Sequence, residues 1–225
     1  MEKYLPVIKT CRLFAGIATP DLKKLLHCLG AARAGFEKNC FIFHTGDAAG
    51  LTGIVLSGRV QVLQEDYWGN RSILTQLEPG GTFGEAVTCA EIQTLQPSVL
   101  AVEKSDILLL DCNRIMACCS TPCAFHTDMI KNMVRILAGK NIYLTQKIWH
   151  ITRRTTREKL LSYLSAWAAR AGDSAFEIPF NRQELANYLS VDRSALSNEL
   201  SKMRDENILR CRRNYFELLR ERVRK

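Results

Sequence analysis

The spacing of apolar residues changes three times along the chain. Up to about residue 30 it is helical, with Ile8, Leu13 and Phe14 followed by a stripe of Leu22, Leu25, Leu26 and Leu29. Thr19-Pro20-Asp21 reads as the start of the helix bearing that stripe, with Thr19 as its cap and proline at its first position. From Ala31 the runs shorten. Phe36 and Cys40–Phe43 precede a turn at His44-Thr45-Gly46-Asp47; Ile54-Val55-Leu56 precedes Ser57-Gly58; Val60–Leu63 leads to Trp68-Gly69-Asn70; Ser72-Ile73-Leu74 leads to Pro79-Gly80-Gly81. Further strands fall near Ser98–Val102 and Ile107–Asp111. Short apolar runs punctuated by glycine turns predict an antiparallel barrel or sandwich.

Near Asn113 a long helical pattern begins. Ile130, Val134, Leu137, Asn141, Leu144, Ile148 and Ile151 alternate by four and three residues, an a/d seam on a helix from about Ala124 to His150. A seam this long needs a partner. The same helix of a second subunit would serve, and so would this chain's own barrel; a dimer is favoured. Asn141, the lone polar residue in the seam, either fixes register or faces a ligand. Thr152–Thr156 is polar and reads as a hinge, and Arg157–Arg170 is a further amphipathic helix ended by Ala171-Gly172-Asp173.

Asn181–Leu209 reads as two helices joined by Ser190-Val191-Asp192. Asn181 is placed to cap the first and Asp192 the second, since a side-chain oxygen there accepts from the free amides of a first turn. Leu185, Ala186 and Leu189 line one helix, and Leu196, Leu200 and Met203 the other. The outer face of the second helix carries Arg193, Ser194, Ser197, Asn198 and Lys202, and Arg and Asn suit base edges in a major groove. This is the helix-turn-helix pattern, although a solvated polar face on a packed helix pair gives the same periodicity. Ile208–Leu219 then reads as strand, basic turn and strand: a wing with Arg212 and Arg213 at its tip.

Charge sharpens the choice. The last 75 residues, 151–225, hold 16 Lys and Arg against 10 Asp and Glu, whereas residues 1–150 hold 15 against 13. Most of the excess of +8 thus sits on the segment that holds the helix pair, where it attracts a phosphate backbone. The longest apolar runs fall short of a membrane span and the N-terminus shows no secretory pattern, so a cytoplasmic protein with no membrane partner is expected. No Walker loop, G-x-S-x-G or H-E-x-x-H is found, and the four histidines show no ligand spacing, so no enzyme is expected. Of nine cysteines, only Cys118, Cys119 and Cys123 are close together; they read as buried thiols, with metal binding or oxidant sensing as the alternative.

The order of parts resembles the cyclic-AMP receptor protein and fumarate–nitrate regulator (Crp/Fnr) family. The resemblance covers nearly the whole chain. It rests on Gly58-Arg59-Val60 and Pro79-Gly80-Gly81-Thr82-Phe83-Gly84-Glu85, and on Arg182–Ala186 with Asp192–Ser197. It implies an α+β protein: a cyclic-nucleotide-binding-like β-roll (a jelly roll) with N-terminal helices over 1–122, a dimerisation helix over 123–151, and a winged helix-turn-helix over 152–225. It implies a homodimeric transcription factor that reads an inverted-repeat operator in double-stranded DNA and works with RNA polymerase. The effector pocket expected from it comprises Gly84, Glu85, Pro97, Ser98 and Asn141. In the nucleotide binders the Gly-Glu grips the ribose and a following Arg-Ser the cyclic phosphate. Here Pro97-Ser98 stands in place of Arg-Ser, and no arginine occurs between Ser72 and Asn113, so cyclic AMP is not the expected effector and no cofactor is assigned. At the DNA, Arg193 is expected on a guanine. Ser194 and Asn198 replace the family's Glu and second Arg, which predicts a different operator. Arg182, Gln183, Ser197 and Lys202 are expected mainly on phosphates. A small-molecule module signalling through protein partners, or a thiol-sensing regulator, are the alternatives.

Overall fold

The computed structural model describes residues 2–69, 71–116 and 124–219, which form two compact units, Met1–Asn141 and Ile142–Lys225. The first unit opens with α1 (Leu5–Thr10), a 3-10 turn over Arg12–Phe14, and α2 (Thr19–Cys28). Thr19 is already inside α2; Ala18 is the extended residue before it, and no side chain caps this end. With Pro20 in the first turn supplying no amide, one of the donors a cap would serve is missing.

Eight strands follow: β1 (Ala32–Phe36), β2 (Phe41–Phe43), β3 (Leu51–Ser57), β4 (Val60–Glu65), β5 (Arg71–Leu77), β6 (Thr82–Phe83), then α3 (Glu85–Cys89), β7 (Ser98–Ala101) and β8 (Ser105–Asp111). They pair antiparallel in two four-stranded sheets, β1-β8-β3-β6 and β2-β7-β4-β5. The alternation of β3 and β8 explains their nearly continuous apolar runs. Val55 and Ile107 point between the sheets, among Phe43, Val60, Phe83 and Val99. Ile54, Leu56, Leu108 and Leu110 point the other way, onto the N-terminal helices. Between β3 and β4, Gly58 turns at φ +81°, and a Cβ there would lie 2.4 Å from the Lys104 carbonyl oxygen. Only glycine fits, which explains the Ser-Gly turn signal.

α4 (Cys112–Met116) closes the roll, and α5 (Ala124–Ile151) is the 28-residue helix predicted from the seam. α5 buries a different stripe from the predicted one. Met129, Met133 and Ile136 join the N-terminal helices in one core, and Asn132 donates to the Leu13 and Ala15 carbonyls at 3.1 and 2.8 Å. Of the seam, Leu137 packs against this core and Ile130 is half-buried, whereas Val134, Leu144 and Ile148 stay exposed, Val134 at 60% and Ile148 at 56%.

The second unit contains the end of α5, α6 (Thr156–Ala171), β9 (Ala175–Glu177), α7 (Arg182–Leu189), α8 (Arg193–Asp205), β10 (Leu209–Arg212) and β11 (Tyr215–Leu218). Its sheet has the order β10-β11-β9, so Ala175–Glu177, before α7, is the third strand of the wing. Leu160, Leu164, Leu185, Leu189, Leu196, Leu200, Met203 and Phe216 are buried in this unit.

Candidate functional sites: the nucleic-acid interface and the roll pocket

The helix pair is set by its caps. Asn181 accepts from the Glu184 amide at 3.0 Å while Glu184 accepts from the Asn181 amide at 2.8 Å, a complete capping box. Ser190 then takes φ +52° and reverses the chain after α7. Asp192 occupies the cap position of α8 without a side-chain hydrogen bond, contrary to expectation; its backbone alone starts the helix. Burial of Leu196, Leu200 and Met203 fixes the roll of α8 about its axis, so Arg193, Ser194, Ser197, Asn198 and Lys202 all face solvent on its outer side.

Two basic residues that the periodicity did not single out hold α8 and α7 in place. Arg157 donates to Glu199 on α8 at 3.4 Å and to Glu206 just beyond it at 2.9 Å. Lys159 donates to the carbonyls of Leu189 and Ser190, at 3.3 and 3.2 Å, where α7 ends. A signal was there: a helix first turn disfavours cations, and two at the start of α6 imply anionic or carbonyl partners elsewhere. Thr155 and Glu158 cap α6 in a second capping box. Hydrogen bonds from the Thr155 and Arg154 amides hold the Glu158 carboxyl below its usual range.

The wing presents Arg212 and Arg213 exposed, with Arg213 in the left-handed region at φ +55°. The Asn214 side chain donates to the Ile178 carbonyl at 3.3 Å, anchoring the turn. Arg182, expected on phosphate, is half-buried and has partners within the unit. Its guanidinium lies over the Phe216 ring at 5.1 Å and donates to the Cys211 sulfur at 3.2 Å. Cation–π contact favours a guanidinium partly desolvated in this way. Gln183 remains exposed and donates to Asn187 at 3.0 Å.

In the roll, Gly84 takes φ +87° at the start of α3, and a Cβ there would meet the Leu51 carbonyl oxygen at 2.5 Å. The next residue, Glu85, is 1% exposed. Its carboxylate forms an ion pair with Lys140 of α5, whose ammonium also donates to the Thr82 carbonyl at 2.6 Å. Apart from that ion pair, neither carboxylate oxygen of Glu85 takes a hydrogen bond among the described residues. Ser98 is buried, and its hydroxyl accepts from the Thr45 amide at 3.0 Å. Pro97 is half-buried beside it and Asn141 is exposed on α5. The expected pocket residues thus divide between a Gly84–Glu85–Lys140 group and a Ser98–Thr45 group. Lys140 was not among them, because it lies 55 residues from Glu85 in the sequence.

Among the described thiols, Cys11 and Cys112 are buried and Cys89 and Cys211 half-buried, whereas Cys28 and Cys40 are exposed. Burial pushes Cys11 and Cys89 up to about 11 and raises Cys112 as well, so they are poor thiolates. The Cys118–Cys123 group lies outside the described residues. Among the described residues no group of three His, Cys, Asp or Glu side chains is disposed to hold a metal. No helix among them is long and apolar enough to cross a membrane.

A two-sheet roll on one unit and a winged helix-turn-helix on the other define a DNA-binding regulator with an attached cyclic-nucleotide-binding-like domain. Residues 34–121 match the cyclic nucleotide-binding domain family and residues 158–222 the Crp-like helix-turn-helix domain. The chain belongs to the Crp/Fnr family of transcriptional regulators. No curated protein matches it significantly by sequence. Solved structures with a similar fold include the c-di-GMP-responsive global regulator CLP of Xanthomonas campestris, at 17% identity over 91% of this chain and 100% of that one, TM-score 0.72. A CooA variant from Carboxydothermus hydrogenoformans is 20% identical over 92% and 89% of the two chains, TM-score 0.66. FixK2 from Bradyrhizobium japonicum is 18% identical over 86% and 94%, TM-score 0.64.

Proposed function

We propose that the protein is a cytoplasmic homodimer that reads an inverted-repeat operator through α8, responds to a signal other than cyclic AMP at its roll, and acts with RNA polymerase. The observation that carries the DNA reading is the outer face of α8. Arg193, Ser194 and Asn198 stand exposed at its N-terminal end, while its buried face, Arg157 and the α7 cap fix its orientation. A helix entering a major groove presents its N-terminal residues to base edges, and Arg193 has the bidentate geometry that guanine requires. Arg212, Arg213 and Lys202 supply cations for the flanking phosphates.

Support for the dimer comes from α5. Val134, Ile142, Leu144, Ile148 and Trp149 are large apolar side chains left exposed along one helix. A lone soluble chain has little reason to keep such a row wet, and the same row from a second copy would bury it in coiled-coil fashion. Two α8 helices related by a two-fold axis would then meet successive major grooves.

Against cyclic AMP stands the electrostatics of the roll. The anionic phosphate of a cyclic nucleotide needs a cation of its own, and Lys140, the ammonium beside Glu85, is already paired. Selection of bound sequences from random duplexes, at fixed salt and with no added nucleotide, tests the reading. Recovery of inverted-repeat sites with half-site centres about one helical turn apart is the expected outcome. Failure to enrich any sequence would move the function to a protein-binding module.

A further inference from the structure

α5 and α3 are joined at one point, a buried carboxylate met by a lysine whose side chain is 31% exposed. Glu85 opens α3 and is almost completely inaccessible, and Lys140 of α5 forms the ion pair that neutralises it. The ammonium is itself held by the Thr82 carbonyl, one strand before α3. The backbone around the carboxylate has little room to shift, because Gly84 is packed against the Leu51 carbonyl. A carboxylate this deeply buried is costly to leave uncompensated, so α3 and α5 are energetically tied through this pair. Cys11, of the turn after α1, is buried in the core that the N-terminal helices share with α5.

We propose that Lys140 is a built-in counter-ion that latches α5 to the effector-pocket carboxylate, so that the roll is coupled to α5 by the chain itself with no nucleotide bound. The proposal rests on the functional reading above only for its link to DNA. Within the roll it stands on geometry. The latch predicts that the protein isolated free of small molecules already holds α3 and α5 in their coupled arrangement. It also predicts that a ligand regulates this roll by competing with Lys140 for Glu85. A cationic or hydroxyl-rich molecule can do so, whereas an anion would strand the buried carboxylate.

The test compares the full-length wild type with Lys140→Met, Lys140→Arg, Glu85→Gln and the Glu85→Gln/Lys140→Met double variant. Amide exchange over residues 82–89 and affinity for the selected operator are both measured. The latch predicts that Lys140→Met speeds exchange at residues 85–89 and weakens operator binding by roughly tenfold, within the usual range of coupling between sites. Lys140→Arg should keep most of both. The double variant, an uncharged pair, should lose less than the two single losses combined. Unchanged exchange in Lys140→Met and Glu85→Gln, or strictly additive losses in the double variant, would overturn it. Should the wild type bind no duplex, the DNA reading fails on its own, and amide exchange still decides the latch. If Lys140→Met does not fold, Glu85→Gln and the double variant carry the comparison.

Discussion

On the proposed DNA reading, Arg193 and Arg213 do different work. Arg193 sits at the start of α8 with a packed helix behind it, so its fork has a defined approach to a base edge. Arg213 sits on a two-residue turn at the wing tip, where the proposed reading puts it on a phosphate of any sequence. Arg193→Ala should therefore cost about 1–3 kcal/mol at the selected operator and relax one base position, with little change on random duplex. Arg213→Ala should weaken all duplexes alike and lower the slope of log affinity against log salt by about 1. Fluorescence anisotropy titrations on both duplexes at several salt concentrations check the pair; equal losses on operator and random DNA would remove Arg193 from direct readout. Lys147 makes a separate case. It is buried in the second unit with its ammonium 4.8 Å over the Tyr188 ring, and burial lowers it from 10.5 to about 8. In the unfolded chain it holds its proton up to about 10.5, so between pH 8 and 10.5 the unfolded state binds more protons and stability rises with pH. Below pH 8 both states are protonated and the cost of the buried charge is felt in full. Lys147→Met should thus stabilise the protein near pH 7, by about 1–3 kcal/mol, and the gain should shrink toward pH 10. Urea denaturation at the two pH values measures it. A gain that does not depend on pH would point to packing rather than charge.

At the scale of elements, the caps and clamps around the helix pair decide whether α8 is presented correctly. Asn181→Ala removes the side-chain half of the α7 capping box and should cost about 1 kcal/mol of stability. Ser190 is held at a positive φ where glycine is at ease, so Ser190→Gly should be neutral to stabilising, by up to about 1 kcal/mol. Thermal unfolding of the two variants separates these directions. Arg157 acts differently, since it binds Glu199 and Glu206 from another helix. Its removal should reduce discrimination between operator and random DNA more than it reduces stability. Periodicity placed most of these elements. The seam helix, the helix pair, the wing and most strands of the roll follow from apolar spacing and glycine turns. α3 was missed because a five-residue helix buries too little to leave a period, and β9 was legible only as an extended segment at Phe176–Phe180, because three residues become a strand only through pairing with β11.

Across the whole molecule, α5 carries two apolar faces with different destinations. Met129, Met133 and Ile136 are satisfied within the first unit, while Val134 and Ile148 remain exposed on the same helix. If the exposed stripe is the subunit contact, Ile148→Glu should convert the dimer to a monomer while leaving each unit folded. Operator affinity should fall toward that of random DNA, because a single half-site gives up the second set of contacts. Sedimentation equilibrium with circular dichroism on the same samples checks it; a monomeric wild type would redirect the stripe to another partner.

Local patterns are enough to settle what depends on neighbours in sequence. The apolar run of β3, the seam spacing of α5, the Asn181 cap and the basic wing are each written within a few residues, because strand pleat, helix repeat and end-capping are short-range. That no arginine occurs between Ser72 and Asn113 was legible for the same reason. What only the tertiary structure decided is which distant groups meet. Lys140 meets Glu85, Arg157 meets Glu199, and Arg182 lies over Phe216. A charge does not announce its partner in sequence. Pairing across long loops is set by how sheets and helices pack, and a long flexible side chain takes the nearest group that packing offers.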